Sequence, residues 1–153
     1  GVLEIAHALG LQATARSSGG LPARSTEIYV ADTIGELGLL YRAAPAVFIG
    51  GSLVRHGGQN PIEAAKLGAA ILHGPHVWNF GEIYGALDAA GGAAEVADAG
   101  QLASRFATLL ADPKARETAA RAALQTVEGL SGARARTLAA LDPYLLQLRL
   151  HYR

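Results

Sequence analysis

The sequence predicts an α/β domain of the doubly wound class, an open and mostly parallel sheet with helices on both faces. Three observations carry this. Short apolar runs recur at Ile28-Tyr29-Val30, Val47-Phe48-Ile49 and Ala70-Ile71-Leu72, as expected of strands buried on both sides. Each run is followed by a polar or glycine-rich loop. Each loop then leads into Thr33-Ile34-Gly35-Glu36, Asn60-Pro61-Ile62-Glu63 or Asn79-Phe80-Gly81-Glu82, a capping residue with Glu three places on, the pattern of a helix start.

Taken in order, Val2, Ile5, Ala6 and Leu9 share one helical face, and Gly10 ends that helix. This opening predicts a helix packed on strands that lie upstream of the present chain, and hence a partial domain. Leu11 to Arg16 alternates weakly, as a short strand would. The Ser-, Gly- and Pro-rich stretch from Ser17 to Thr26 is shorter than the usual helical crossover, so the pairing of the first two strands stays open. After the strand at Ile28–Ala31, the helix beginning at Thr33 places Ile34, Leu37, Leu40 and Tyr41 on one side, and Ala44-Pro45 stops it.

The organising stretch runs from Phe48 to Phe80. Gly50-Gly51 closes a strand and Gly57-Gly58 loosens the chain. Asn60, Pro61 and Glu63 supply an N-cap, a first-turn proline and a capping-box acid. Gly74-Pro75-His76 turns the chain after the next strand. Phe80, Ile83, Tyr84 and Leu87 then follow at helical spacing, and Ala93 to Val96 reads as a short last strand. Asp98 with Gln101 starts a helix with Leu102, Phe106, Leu109 and Leu110 on its inner face. Asp112-Pro113 caps an alanine-rich helix to about Gly129. Ser131 opens a final helix through Leu138 and Leu141, ended or kinked at Asp142-Pro143.

The chain has 153 residues, one domain's worth, with half of them hydrophobic and a formal net charge of zero. Such a balance argues against a dominant nucleic-acid or membrane-surface role. Cysteine is absent, which excludes disulfides and thiolate catalysis and fits a cytoplasmic origin. No apolar run reaches the ~18 residues of a membrane span.

In a parallel sheet the three helix starts gather at the carboxyl ends of the strands. Positive helix ends and free amides then collect at one rim, where an anion or nucleotide is expected. The glycines match neither G-x-G-x-x-G nor a P-loop, so tight turns alone are an equal reading. Glu63 has two readings, the capping box or the hydroxyls of a ribose, and on the residues alone the cap is favoured. His56 and His76 sit in rim loops without partners at metal-ligand spacing, so no metal is expected. Arg16, Arg24 and Arg55 are candidate phosphate partners. His73 is read as the end of a strand, and Trp78 and Phe80 as packing for the loop and helix. No carboxylate pair or Ser-His-Asp arrangement can be argued from spacing.

GGSLVRHGGQNPIEAAKLGAAILHGPHVWNF, with the upstream ARSSGGLP and YVADTIGELGLLYRAAPAVFIGG and the late LDPYL, resembles the C-terminal half of the bacterial 3-deoxy-D-manno-octulosonic acid (Kdo) transferases. The resemblance covers nearly the whole chain and is densest from Asp32 to Phe80. It implies the Rossmann-like donor-binding domain of a two-domain, GT-B glycosyltransferase. It further implies CMP-Kdo as the donor substrate, with no cofactor and no bound metal. The acceptor is a lipid A precursor met at the cytoplasmic face of the bacterial inner membrane, and transfer is inverting.

The resemblance places Gly50, Gly51 and Ser52 beside the donor phosphate and sugar, and His56, Gly57, Gly58 and Asn60 facing the nucleotide. It puts Glu63 on the ribose, which raises that reading above the cap. Thr33, Gly35 and Glu36 border the base or phosphate, and His76 and Asn79 face the donor from the next strand. Gln59 stands where relatives often carry His, and Val77-Trp78 where Thr-Phe is common. The resemblance implies that the acceptor domain, the membrane-anchoring segment and the catalytic carboxylate base belong to an N-terminal half that this chain is expected to lack. The excised domain is therefore expected to be catalytically silent, and an unpaired sheet edge is expected to favour self-association. The alternatives are a nucleotide-sugar binding module without chemistry of its own, or another GT-B enzyme such as a sugar-nucleotide epimerase.

Overall fold

A computed structural model describes residues 1–130 together with Gly132, Ala140 and Leu141. The expected last helix from Ser131 falls almost entirely outside the described residues. The chain divides into two compact units, Gly1–Leu40 and Tyr41–Arg153, and every strand pairing in either unit is parallel. Among the described residues the strands pair as a two-stranded and a three-stranded sheet.

The first unit contains helix α1 (Val2–Ala8) and strands β1 (Ala13–Ala15) and β2 (Ile28–Val30). β1 and β2 pair in parallel from Ala13↔Ile28 to Ala15↔Val30, which settles the pairing that the loop length left open. The crossover begins with a 3₁₀ turn, Arg16–Ser18, and needs no α-helix. Gln12 O accepts from the amides of Glu27 and Ile28, at 2.8 and 3.0 Å, and so sets the register. The expected inner face of α1 needs correction. Ala6 is the helix's only buried side chain, whereas Val2, Ile5 and Leu9 are exposed. Two strands of three residues present few side chains on any one face, too few to cover a whole apolar stripe.

Helix α2 (Leu37–Ala43) starts later than its sequence signal. Its first turn closes on Glu36 O, which accepts from Leu39 and Leu40. Thr33 is not its cap. Gly35 sits at φ +98°, outside helical space, and the Thr33 hydroxyl donates to the Glu36 carboxylate instead. Ile34 and Leu37, expected on the inner face, are exposed.

The second unit is built on β3 (Ala46–Ile49), β4 (Ala70–His73) and β5 (Ala93–Glu95), in the order β3-β4-β5. Helix α3 (Ile62–Lys66) joins β3 to β4 and α4 (Gly81–Ala89) joins β4 to β5. Helices α5 (Ala99–Ala111) and α6 (Pro113–Leu130) follow. Successive residues of a strand face opposite sides, and β4 shows it. Ile71 joins the buried cluster of Ala64, Ala65, Tyr84, Leu87, Ala123 and Val127. Leu72 is equally buried but lies outside that cluster, and α5 packs against β3 and β4. Helices thus cover both faces of this sheet, as the sequence predicts.

Two caps form as read. Asp98 accepts from the Gln101 amide at 2.8 Å, and Asp112 from the Ala115 amide at 3.0 Å. On α5, Leu102, Phe106 and Leu109 are half-buried, but Leu110 is exposed, contrary to expectation. Gly92 lets α6 lie directly on the turn before β5, since a Cβ there would meet the Ala123 backbone at 2.6 Å.

Candidate functional site: two interlocked loops after β3 and β4

Both loops leave the carboxyl ends of adjacent parallel strands, so they start as neighbours. Ser52 fastens their bases. Its hydroxyl donates to Ile49 O at 2.5 Å and accepts from the Gly74 amide at 2.8 Å. Its carbonyl accepts from the His76 amide at 2.9 Å. Ser52 is wholly buried, so its hydroxyl is committed inward. A side chain at Gly74 would collide with the Ser52 backbone.

The upper parts of the loops are tied as well. Gly58 N donates to Gly51 O at 3.0 Å, folding the first loop on itself. Asn79 N donates to Gly57 O at 3.1 Å, and the Asn79 side-chain amide donates to His56 O at 3.3 Å. Gly57 has φ +100°, and a Cβ on it would strike the Asn79 side chain. Conformation and crowding therefore both demand glycine there. Asn79 does not cap α4 as its spacing suggests. Phe80 stands at the cap position, because the Asn79 amide is engaged across the gap.

Asn60 does act at the start of α3. Its Oδ1 accepts from the Ile62 amide at 3.0 Å, in an Asx-type turn. The reciprocal half of the capping box is not made. Glu63 is exposed and its carboxylate has no hydrogen-bond partner among the described residues, which leaves both oxygens available to a ligand. Tyr84 braces the loop from below, donating to Gln59 O at 2.8 Å. Its phenol is pushed well above the usual range, mainly by burial. Gly50, Arg55 and His56 lie at the surface of this edge, and His76 is half-buried.

The remaining expected site residues belong to the first unit. Arg16 Nε and one terminal nitrogen grip the Glu36 carboxylate at 2.9–3.1 Å, and the Thr33 hydroxyl adds a bond at 2.6 Å. Asp32 accepts from the Ser17 amide and hydroxyl at 2.8 and 2.5 Å. Glu36 is held below the ordinary carboxylate range, first by the Arg16 hydrogen bond and then by Thr33. Asp32 is lowered by the Ser17 hydroxyl and then its amide, and Arg16 is raised by Glu36. Glu36 is thus saturated by protein and Arg16 is neutralised, so neither offers a free charge. Both read as clasps that shape the loop carrying Thr33 and Gly35.

Sequence reasoning missed His73. It ends β4 as expected but is wholly buried. Nδ1 lies 2.8 Å from Gly74 O and Nε2 lies 3.0 Å from Asp88 Oδ1, while Tyr84 packs on the ring at 4.5 Å. Both ring nitrogens therefore have an oxygen within hydrogen-bond distance. A polar residue closing an otherwise apolar run is the signal that could have marked it. Trp78 was also misread: it is exposed, whereas Phe80 packs against the core as expected, and Val77 does so too. Among the described residues no group of three or more His, Asp or Glu could hold a metal ion, and no helix is long and apolar enough to cross a membrane.

No protein-family model matches the chain. Among curated relatives it is 38% identical over 139 residues to the 3-deoxy-D-manno-octulosonic acid transferase of Bordetella pertussis, covering 90% of this chain and 32% of that protein. It is 37% identical over 131 residues to the enzyme of the same name from Haemophilus influenzae, covering 85% and 31%. The chain therefore spans about a third of the length of these relatives. Among solved structures it is similar to the C-terminal CMP-Kdo binding domain of WaaA from Acinetobacter baumannii. That match has a TM-score of 0.79 and 33% identity, over 82% of this chain and 66% of that one.

Proposed function

Because this chain belongs to the 3-deoxy-D-manno-octulosonic acid (Kdo) transferase family, we propose that it is the donor-binding part of such an enzyme and holds CMP-Kdo at the loops after β3 and β4. The observation that carries this is the locked pair of loops leading into α3, whose first-turn Glu63 carboxylate has no hydrogen-bond partner among the described residues. The carboxylate suits a ribose diol, and the glycine loop at a helix start suits the phosphate.

In the whole enzyme, a hydroxyl of a lipid A precursor attacks the anomeric carbon of Kdo. The bond from that carbon to the phosphate oxygen breaks, and CMP leaves with the electron pair. The hydroxyl proton passes to a base supplied by the other half of the protein. The part played here is to bind the nucleotide and stabilise the charge growing on the departing phosphate. No metal or cofactor is assigned to this step. The acceptor, and contact with the cytoplasmic face of the inner membrane, belong to that other half.

Calorimetric titration with CMP, UMP and AMP tests the reading. Saturable binding with a clear preference for CMP, lost in Glu63→Ala, is expected. Equal binding of all three, or a preference for UMP, would overturn the donor assignment. The isolated chain is expected to release no Kdo to an acceptor.

A further inference from the structure

We propose that Trp78 and His76 form the subsite for the sugar-acid end of the donor, with the indole against the C–H face of the sugar ring and the imidazole beside its carboxylate. This deepens the proposed function and rests on it. Trp78 is the chain's one tryptophan, and it is 59% exposed. Tryptophan seldom stands in water without a partner, because a large apolar area stays uncovered.

Mobility does not account for that exposure, since the turn carrying Trp78 is anchored on both sides. Val77 and Phe80 pack on the core, and Phe80 N donates to Val77 O at 2.9 Å. Asn79 ties the same turn to the first loop through Gly57 and His56. The His76 ring meets the indole at 5.8 Å and 63°, edge against face, and so leaves much of the indole surface open. A rigid, open aromatic surface beside an imidazole is the arrangement that a carboxylated sugar needs: apolar contact for its ring face and a donor for its anion.

This pair stands on a different loop from the ribose partner. Glu63, the ribose partner of the proposed function, stands in the first turn of α3, after β3. His76 and Trp78 follow β4, one strand further along the edge. Asn79 joins the two loops through Gly57 and His56, so the proposed arrangement sets the ribose at Glu63 and the sugar acid on the neighbouring loop.

Because Trp78 is the sole indole, its fluorescence reports on the subsite directly. CMP and a non-hydrolysable CMP-Kdo analogue, with methylene in place of the glycosidic oxygen, are titrated while emission and heat are recorded. Both ligands should bind, the analogue more tightly, and only the analogue should shift the emission. Trp78→Ala and His76→Ala should weaken the analogue roughly two- to tenfold and leave CMP within error. Trp78→Phe should retain most of the analogue's advantage. Emission that responds equally to CMP, or Trp78→Ala weakening both ligands alike, would overturn the sugar assignment and leave CMP binding intact. The same holds for an analogue no tighter than CMP. If neither ligand gives heat with the parent protein, the donor-binding reading itself fails, and this inference with it.

Discussion

In the second unit Ile71, Leu72, Tyr84 and Leu87 are almost wholly removed from solvent, whereas the first unit buries only Ala6 and Ala15 among its hydrophobic side chains. The second unit closes a core between one sheet and helices α3, α4 and α6. The first is tied by polar clasps, Arg16 on Glu36 and Ser17 on Asp32. The difference teaches where rigidity is located. The loops after β3 and β4 stand on a packed base, with Tyr84 linking that base to Gln59. The loop at Thr33–Glu36 keeps its form through charged hydrogen bonds, which respond to pH and salt.

Perturbations of decreasing size should sharpen this contrast. Leu87→Ala removes a fully buried side chain and should cost about 2–5 kcal/mol in urea denaturation. A loss no larger than that of a surface change would mean that the core is not what holds the second unit. Ser52→Ala strands the buried Gly74 amide and should cost about 1–3 kcal/mol, with the loss of exchange protection centred on residues 74–76. Tyr84→Phe deletes one bond to a carbonyl that water can reach, so about 0.5–1.5 kcal/mol is expected. Its amide exchange should quicken at Gln59 and Asn60.

Acid should act on the first unit. Asp32 and Glu36 have folded pKa values below their ordinary 3.8 and 4.5. Their contribution is therefore complete above those ordinary values and is lost as pH falls through the lowered ones. Amide exchange in β1 and β2, corrected for its intrinsic pH dependence, should show protection falling below about pH 4. Asp32→Asn should flatten that profile. Protection in β1 and β2 that is independent of pH would show that the clasps do not hold this unit together.

Much of this architecture was legible in the chain. Apolar runs ended by glycine or a turn marked β2 through β5, because strand burial leaves a local trace. The caps at Asp98 and Asp112 were legible because nothing else competes for those carboxylates. The same pattern misled at Thr33 and Asn79, where Glu36 is drawn to Arg16, twenty residues away, and Asn79 to His56, twenty-three away. Side-chain partners that distant leave no periodic signal. The same limit hid His73 with Asp88, the inward turn of Ser52 and the exposure of Trp78. The glycine pairs marked the loop after β3, where Gly51, Gly57 and Gly58 take positive φ. Why Gly57 and Gly74 must be glycine emerged only from the loop that crowds each of them.

The central claim is that the interlocked loops after β3 and β4 hold the nucleotide donor. Hydrogen exchange of the chain with and without saturating CMP tests it most directly. Slowed exchange concentrated in residues 50–63 and 74–80 is predicted, with the helical surface of α5 and α6 unchanged. Saturable CMP binding that leaves both loops exchanging at their free rates would contradict it.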